Sequence, residues 1–423
     1  MRRSWQTIGI LAVTQIISWG SLYYAFSILA PAIRSELRLS PTVLYGAFSG
    51  SILMAGLAAA PVGMTIDRIG GRWVMASGSL VCGVGLVWLS CSSSAVSYVG
   101  AWLLLGVGMA LALYEAAFAT ITRRSGSAAR QAISTLTLFA GFASTIFWPL
   151  TAHLHDVLDW RQIYLSFAAL QLLVCLPLHV LLGRDDVARS TDGKGHAVRD
   201  STLVQAMRQP AFWLLAGAFA ANAFIFSAMS VHLIPLIEDL GHASRLAVLL
   251  AALIGPTQVA GRLLERSGGQ KLSPQRIGIL TFAGLPAALL VLTMFGSKVW
   301  AISLFCVLYG FTNGVLTILR GTLPQALFGS HHYGAISGAM AGPALLAKAA
   351  GPVVIGLSLG TVGTHAAMLW SMLALASCSY ILYALAVRQN LNGDGEIPGN
   401  AADRAHGGVP LFEAGSGSEA GSN

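Results

Sequence analysis

Twelve apolar stretches, each long enough to cross a lipid bilayer, occupy this chain between Ile8 and Ala386 and leave little room between them. They fall at 8–30, 42–62, 73–93, 97–122, 132–152, 162–183, 210–234, 245–263, 277–295, 299–319, 335–360 and 365–387. The hydrocarbon core takes about 20 apolar residues of helix. A backbone crossing it must satisfy its own hydrogen bonds, so each stretch predicts a spanning helix. The pattern predicts an all-α integral membrane protein with twelve helices, and moving a solute is the job that such an architecture suits.

Composition supports this reading. Of the 423 residues 55% are hydrophobic and only 10% charged, against about 25% charged in soluble domains. Met1-Arg2-Arg3 precedes more than twenty residues without a small-residue cleavage site, which predicts a retained first helix rather than a signal peptide. The net charge of +8 is explained by topology. With the N-terminus inside, nineteen of the 25 Lys and Arg fall on the inner side, among them Arg68, Arg72, Arg123, Arg124, Arg262, Arg266, Arg320 and Arg388. Arg34, Arg38, Arg161, Arg245 and Lys298 lie outside, and Lys348 lies within a helix. This bias predicts cytoplasmic N- and C-termini and removes the case for a nucleic-acid partner. The cysteines (Cys82, Cys91, Cys175, Cys306, Cys378) have neither zinc-ligand nor redox spacing and read as small apolar residues packed between helices.

A polar stretch divides the helices into two sets of six. The predicted units are a bundle at 1–183, a central loop at 184–209, a second bundle at 210–387 and a disordered tail at 388–423. Internal matches support a repeat. Thr120-Ile121-Thr122-Arg123 closes helix 4 and Thr317-Ile318-Leu319-Arg320 closes helix 10. Ala132-Ile133-Ser134 opens helix 5 and Ala335-Ile336-Ser337 opens helix 11, with Pro149 and Pro352 each fifteen residues after the serine. Repeated bundles with a site at their interface are a common transporter plan.

Between helices 2 and 3 stands Gly63-Met64-Thr65-Ile66-Asp67-Arg68-Ile69-Gly70-Gly71-Arg72. Gly63 permits close helix approach. Asp67 at a helix C-terminus needs a cation or a helix N-terminus opposite, and Arg68 and Arg72 can supply charge-assisted hydrogen bonds. The stretch resembles the cytoplasmic loop signature of the major facilitator superfamily, with Gly63, Asp67, Arg68, Gly70 and Arg72 matching and Gly71 in a place that is usually basic. The resemblance covers about residues 5–388. It implies two pseudo-symmetric six-helix bundles, alternating access, a loop that latches the outward-facing state, and a bacterial inner-membrane setting. Asp159-Trp160-Arg161 before helix 6 also looks like many members. The second-half counterpart of the loop is degraded: aligning Pro61 with Pro256 sets Arg262 opposite Asp67, followed by Glu265-Arg266.

An ionisable side chain at membrane depth costs about 2.5–3.5 kcal/mol and reads as functional. Glu115 lies two turns from the inner end of helix 4. A carboxyl group moving between wet and dry surroundings can exchange a proton, so Glu115 is a candidate for proton coupling or for holding a cation, its bland alternative being a bond to a neighbouring helix or to Arg123 or Arg124. Lys348, near the middle of helix 11, could bind a carboxylate, pair with Glu115 as a gate that forms in one state and breaks in the other, or snorkel. On helix 1, Gln15, Trp19 and Tyr23 share one face, as do Tyr309, Asn313 and Thr317 on helix 10 and Asn222 and Phe226 on helix 7. The resemblance implies that helices 1, 4, 7 and 10 line a central cavity. The formate–oxalate exchanger of the superfamily is similar in having a lysine on helix 11, whereas its helix 8 arginine has no evident match. Helix 5 lacks the Gly-Pro pair of drug–proton antiporters. His153, His155, Asp156 and Asp159 read as solvated loop residues, as do His331 and His332.

No phosphate-binding loop or nucleotide signature stands in the chain. The reading is therefore a secondary transporter of a small organic solute, proton-coupled, that works as a monomer without cofactor or metal; export as the direction is what the resemblance to bacterial inner-membrane exporters implies. The alternative is a carboxylate exchanger or uptake permease using Lys348. A membrane enzyme or a sensor lacks, respectively, a catalytic cluster and an output domain.

Overall fold

The computed structural model describes residues 2–183, 200–268, 272–361 and 364–393. Twelve helices cross the molecule: α1 (Trp5–Leu37), α2 (Pro41–Ile69), α3 (Gly71–Ser90), α4 (Ala95–Ser125), α5 (Ala129–His155), α6 (Trp160–Leu181), α7 (Pro210–Asp239), α8 (Ser244–Ser267), α9 (Pro274–Phe295), α10 (Val299–Phe328), α11 (Tyr333–Ser358) and α12 (His365–Gln389). Their starts follow local chemistry. Ser40, Ser94 and Ser273 each accept the backbone N–H three residues on, and Pro41, Pro210 and Pro274 occupy first-turn positions where a missing N–H costs nothing. Asp159 and Gln162 form a reciprocal capping box at α6.

Several helices outrun the apolar stretches that announce them. The sequence reading stops helix 10 at residue 319, counts Arg320 as an inner-loop charge and closes helix 2 at 62; the structure carries α10 to Phe328 and α2 to Ile69. Apolar counting ends where charge begins, but helical hydrogen bonding continues because the charges there face the other half of the protein. Of the central loop expected at 184–209, residues 184–199 lie outside the described residues and Leu203–Arg208 forms a short helix. Of the disordered tail expected at 388–423, residues 394–423 lie outside them, while the backbone stays helical through Gly393.

The two halves each have their own core. That of the first half centres on Tyr98, Trp102, Trp160 and Tyr164, all with 2% exposure or less. In the second, Phe282 stacks on Tyr383 with ring centres 4.3 Å apart, and Phe305 packs on Tyr309. A buried polar network ties the first half internally. His179 of α6 meets Ser79 of α3 at 2.8 Å and Thr14 of α1 at 3.0 Å. Thr14 also donates to the Leu11 carbonyl, so the network continues into the α1 backbone.

Helix irregularities sit beside the interface. Leu113, with φ −88° and ψ −160°, splits α4 into Ala95–Ala112 and Tyr114–Ser125. α5 breaks at Gly141 and Phe142, and α8 at Ala252 and Leu253. α1 widens into a π turn at Gly20–Tyr24, a deformation common near functional sites.

The halves meet through α2 with α11, α5 with α8, and α4 with α10. Their hydrogen bonds and ion pairs gather near one face, the one that carries the start of α1 and the ends of α2, α4, α8 and α10; it is called the terminal face below. The loop motif explains itself there. A Cβ on Gly63 would overlap the Gly334 carbonyl of α11. Gly70 ends α2 at φ 88°, a backbone that favours glycine. Gly71, the departure from the superfamily pattern, lies against Thr120 of α4, whose hydroxyl occupies the space of a Cβ. Restoring the usual basic residue with Gly71→Arg is expected to destabilise the protein by about 1–3 kcal/mol through overpacking. A lowered Tm in detergent checks this, and an unchanged Tm would contradict it.

Candidate functional site

The break in α4 builds the centre of the molecule. Opening the helix at Leu113 frees the Ala112 carbonyl, and Gln15 Nε2 of α1 donates to it at 2.6 Å. Glu115 thereby lies in the first turn of the segment Tyr114–Ser125, where the helix dipole favours negative charge. Arg320 of α10 reaches it from the other half, Nη2 to Oε1 at 2.8 Å. Side-chain exposures of 18% for Glu115 and 33% for Arg320 show that the pair is only partly withdrawn from water.

This ion pair stands between two cavities. The outer one is lined by Trp19, Tyr23, Leu113, Tyr114, Leu345 and Lys348. The inner one lies toward the terminal face and is lined by Phe118, Phe219, Thr317, Pro324, Ser337 and Met340. Tyr114, Glu115 and Arg320 belong to both.

Lys348 projects into the outer cavity. Its Nζ is 4.4 Å from the ring centre of Tyr23 and 5.6 Å from that of Trp19, within cation–π range. Among the described residues it has no carboxylate partner, so its pairing with Glu115, one of the sequence alternatives, is not the arrangement found. Its backbone is held as well. Pro352 has no N–H to offer the Lys348 carbonyl, and Ser227 of α7 donates to that carbonyl at 2.6 Å. The indole Nε1 of Trp19 is buried without a hydrogen-bond partner.

The terminal face is closed by polar contacts across the halves. Asp67 accepts the N–H groups of Gly334 at 2.9 Å and Ala335 at 2.8 Å at the start of α11. Arg123 donates to the Asp67 carbonyl, while Arg68 is exposed and Arg72 stacks over Trp73 at 4.7 Å. On the α5–α8 side Glu265, 5% exposed, pairs with Arg130 at 3.0 Å and accepts from Ser134 at 2.8 Å. Arg266 donates to Thr135. Arg262, 7% exposed, donates to the Thr137 carbonyl at 3.1 Å beside Gly141. Gln325 bonds the Gly126 carbonyl at 2.9 Å.

Of the residues singled out from the sequence, Glu115, Lys348, Trp19 and Tyr23 meet at the outer cavity and Thr317 at the inner one. The other candidates on α1, α7 and α10 line neither cavity. Gln15 is fully buried on the α4 break. Asn222 donates to Ser379 of α12 and to the Ala218 carbonyl. Phe226 packs on Tyr309 with ring centres 4.5 Å apart, and Tyr309 donates to the Phe226 carbonyl at 3.1 Å. Asn313 is half-buried, and its carbonyl accepts from Thr317. The chief omission is Arg320 as the partner of Glu115; the sequence offers Arg123 and Arg124 instead, and these bond Asp67, Thr7 and Gly183. Arg320 follows Thr317 by three residues and Asn313 by seven, so the helical face already identified contains it.

These features define a polytopic membrane transporter rather than an enzyme. A sequence profile described as Major Facilitator Superfamily matches residues 11–352, and the chain belongs to that superfamily. A relative in Thermoproteus tenax, an uncharacterized 38 kDa protein in the 23S RNA operon, is 24% identical over 373 residues, 87% of this chain and 93% of that protein. Among solved structures the fold is similar to the human organic anion transporter MFSD10 (TETRAN), with TM-score 0.65 and 16% identity over 90% of this chain and 99% of that one. It is also similar to the E. coli fucose:proton symporter FucP, with TM-score 0.69 and 14% identity over 90% and 98% of the two chains.

Arg320→Gln is expected to lower the Tm by stranding Glu115, and adding Glu115→Gln should restore part of the loss. The coupling should amount to about 1–2 kcal/mol. Strictly additive shifts in a double-mutant cycle would contradict a direct pair.

Proposed function

We propose that the protein is a proton-coupled secondary transporter of a small organic solute that works by alternating access as a monomer, and that the Glu115–Arg320 pair is its switch. The observation carrying this reading is the position of the pair: it joins the two halves and stands between two cavities. A proton on Glu115 removes the charge that holds Arg320, so the inner halves of α4 and α10 are freed to part. Loss of that proton restores the pair and helps close the terminal face. The outer cavity is the cargo site, with the rings of Trp19, Tyr23 and Tyr114 as walls.

The positive-inside bias supports a cytoplasmic terminal face, which makes the described form outward-facing with its cytoplasmic side latched through Asp67. Gly63, Gly70 and Gly71 give that latch its close fit. Residence in a bacterial inner membrane and export as the direction rest on resemblance to bacterial exporters.

A second reading, an organic-anion carrier, is favoured by one observation. The outer cavity is lined by Lys348 and Arg320 against the single carboxylate of Glu115, and Lys348 lies against the rings of Tyr23 and Trp19. A carboxylate on the cargo would supply the missing counter-charge.

In inverted vesicles under an imposed pH gradient, Glu115→Gln should reduce gradient-driven transport at least about tenfold, within the range for a positioned proton-transfer group. Undiminished gradient-driven transport would remove Glu115 from the mechanism. Lys348→Gln should abolish transport of monocarboxylates while protein levels hold. Anion exchange retained in that variant would overturn the second reading.

A further inference from the structure

The loop between α10 and α11 is gripped from two sides. Asp67 of the first half takes the N–H groups of Gly334 and Ala335. Asp200, on the segment leading into the second half, accepts with Oδ1 from Ser330 N–H at 2.9 Å and His331 N–H at 3.2 Å. Beside it, Ser201 N–H donates to the Phe328 carbonyl at 2.9 Å. The turn is built around this carboxylate. Gly329 sits at φ 90°, a conformation that favours glycine, and a Cβ there would overlap the Asp200 side chain. Tyr333 fixes the far side of the loop by donating to the Gly321 carbonyl of α10 at 2.7 Å.

We propose that Asp200 is a positioning residue for the seal: it holds the 329–331 turn in the one shape that presents the amino end of α11 to Asp67. The two aspartates differ in what happens when the terminal face opens. Asp67 and its N–H partners belong to opposite halves, so those bonds break on opening. Asp200, Ser330 and His331 travel together with the second half, so their bonds persist. Asp200 thus keeps negative charge at the amino end of α11 in both states and spares the latch the cost of ordering its target each time it closes. This rests on the alternating-access reading, and the experiment separates the two.

The test uses the full chain with exposed Cys91 and Cys378 changed to Ser. Spin labels go at Thr65→Cys on α2 and Arg276→Cys on α9, exposed positions in opposite halves. Pulsed dipolar distances then report the ratio of closed to open terminal faces. Asp200→Ala is expected to lower that ratio about tenfold, the size of one lost charged hydrogen bond. Asp200→Asn, which keeps an accepting oxygen but loses the charge, should lower it less, and it serves as the test if the alanine variant does not fold. Asp67→Asn should also lower the ratio, and adding Asp200→Ala to it should change little further, because Asp200 acts through Asp67. An unchanged ratio in both Asp200 variants, or a full additional shift on top of Asp67→Asn, would overturn the proposal. If Asp67→Asn shifts the ratio while the Asp200 variants do not, the seal stands without Asp200. One short distance in every variant would sink both the proposal and the alternating reading.

Discussion

A charge at membrane depth must find an opposite charge, a helix end or water, and in this chain it does so by reaching across the boundary between the halves. Glu115 is the central case. On its own half it has the amino end of a broken helix, and on the other half it has Arg320 at 2.8 Å. The break at Leu113, the Gln15 amide that satisfies the exposed Ala112 carbonyl and the cavities on either side all follow from placing this carboxylate there. An interface held by burial alone would be indifferent to protons. One held by an ion pair contains a carboxylate that a proton can neutralise, and the proposed cycle rests on that link.

The two repeats solve the same problem with opposite polarity. On α2, Asp67 accepts N–H groups from the start of α11. At the aligned position on α8, Arg262 donates instead to the Thr137 carbonyl near the break in α5. An anion meets a helix beginning on one side of the molecule, and a cation meets a segment end on the other. Each choice matches the sign of the dipole it faces. Thr120–Arg123 and Thr317–Arg320 diverge in the same way, since Arg123 stays within its half on Asp67 while Arg320 crosses to Glu115.

The twelve helices, the loop motif and the presence of Glu115 and Lys348 as charges at membrane depth were legible in the sequence because each expresses a local cost: apolar length, a glycine at a close approach, a charge in oil. Partners were less legible. Arg320 looked like an inner-loop cation because hydropathy falls before the helix ends. Asn222 and Tyr309 had the spacing of cavity residues, yet their polar atoms turn to Ser379 and to the Phe226 carbonyl. Spacing identifies a helical face, whereas which neighbour that face meets depends on tertiary packing. The kink at Leu113 carries no glycine or proline to announce it, and Gln15 could be understood only once the carbonyl it serves was visible.

The account turns on the ion pair being intact when the terminal face is shut and broken when it is open. A structure of the terminal-open form, trapped at low pH, measures this directly. The account predicts that Glu115 and Arg320 lie beyond hydrogen-bonding reach there, with a continuous passage from the terminal face to Lys348. The same 2.8 Å contact surviving in a form whose terminal face is open would contradict it.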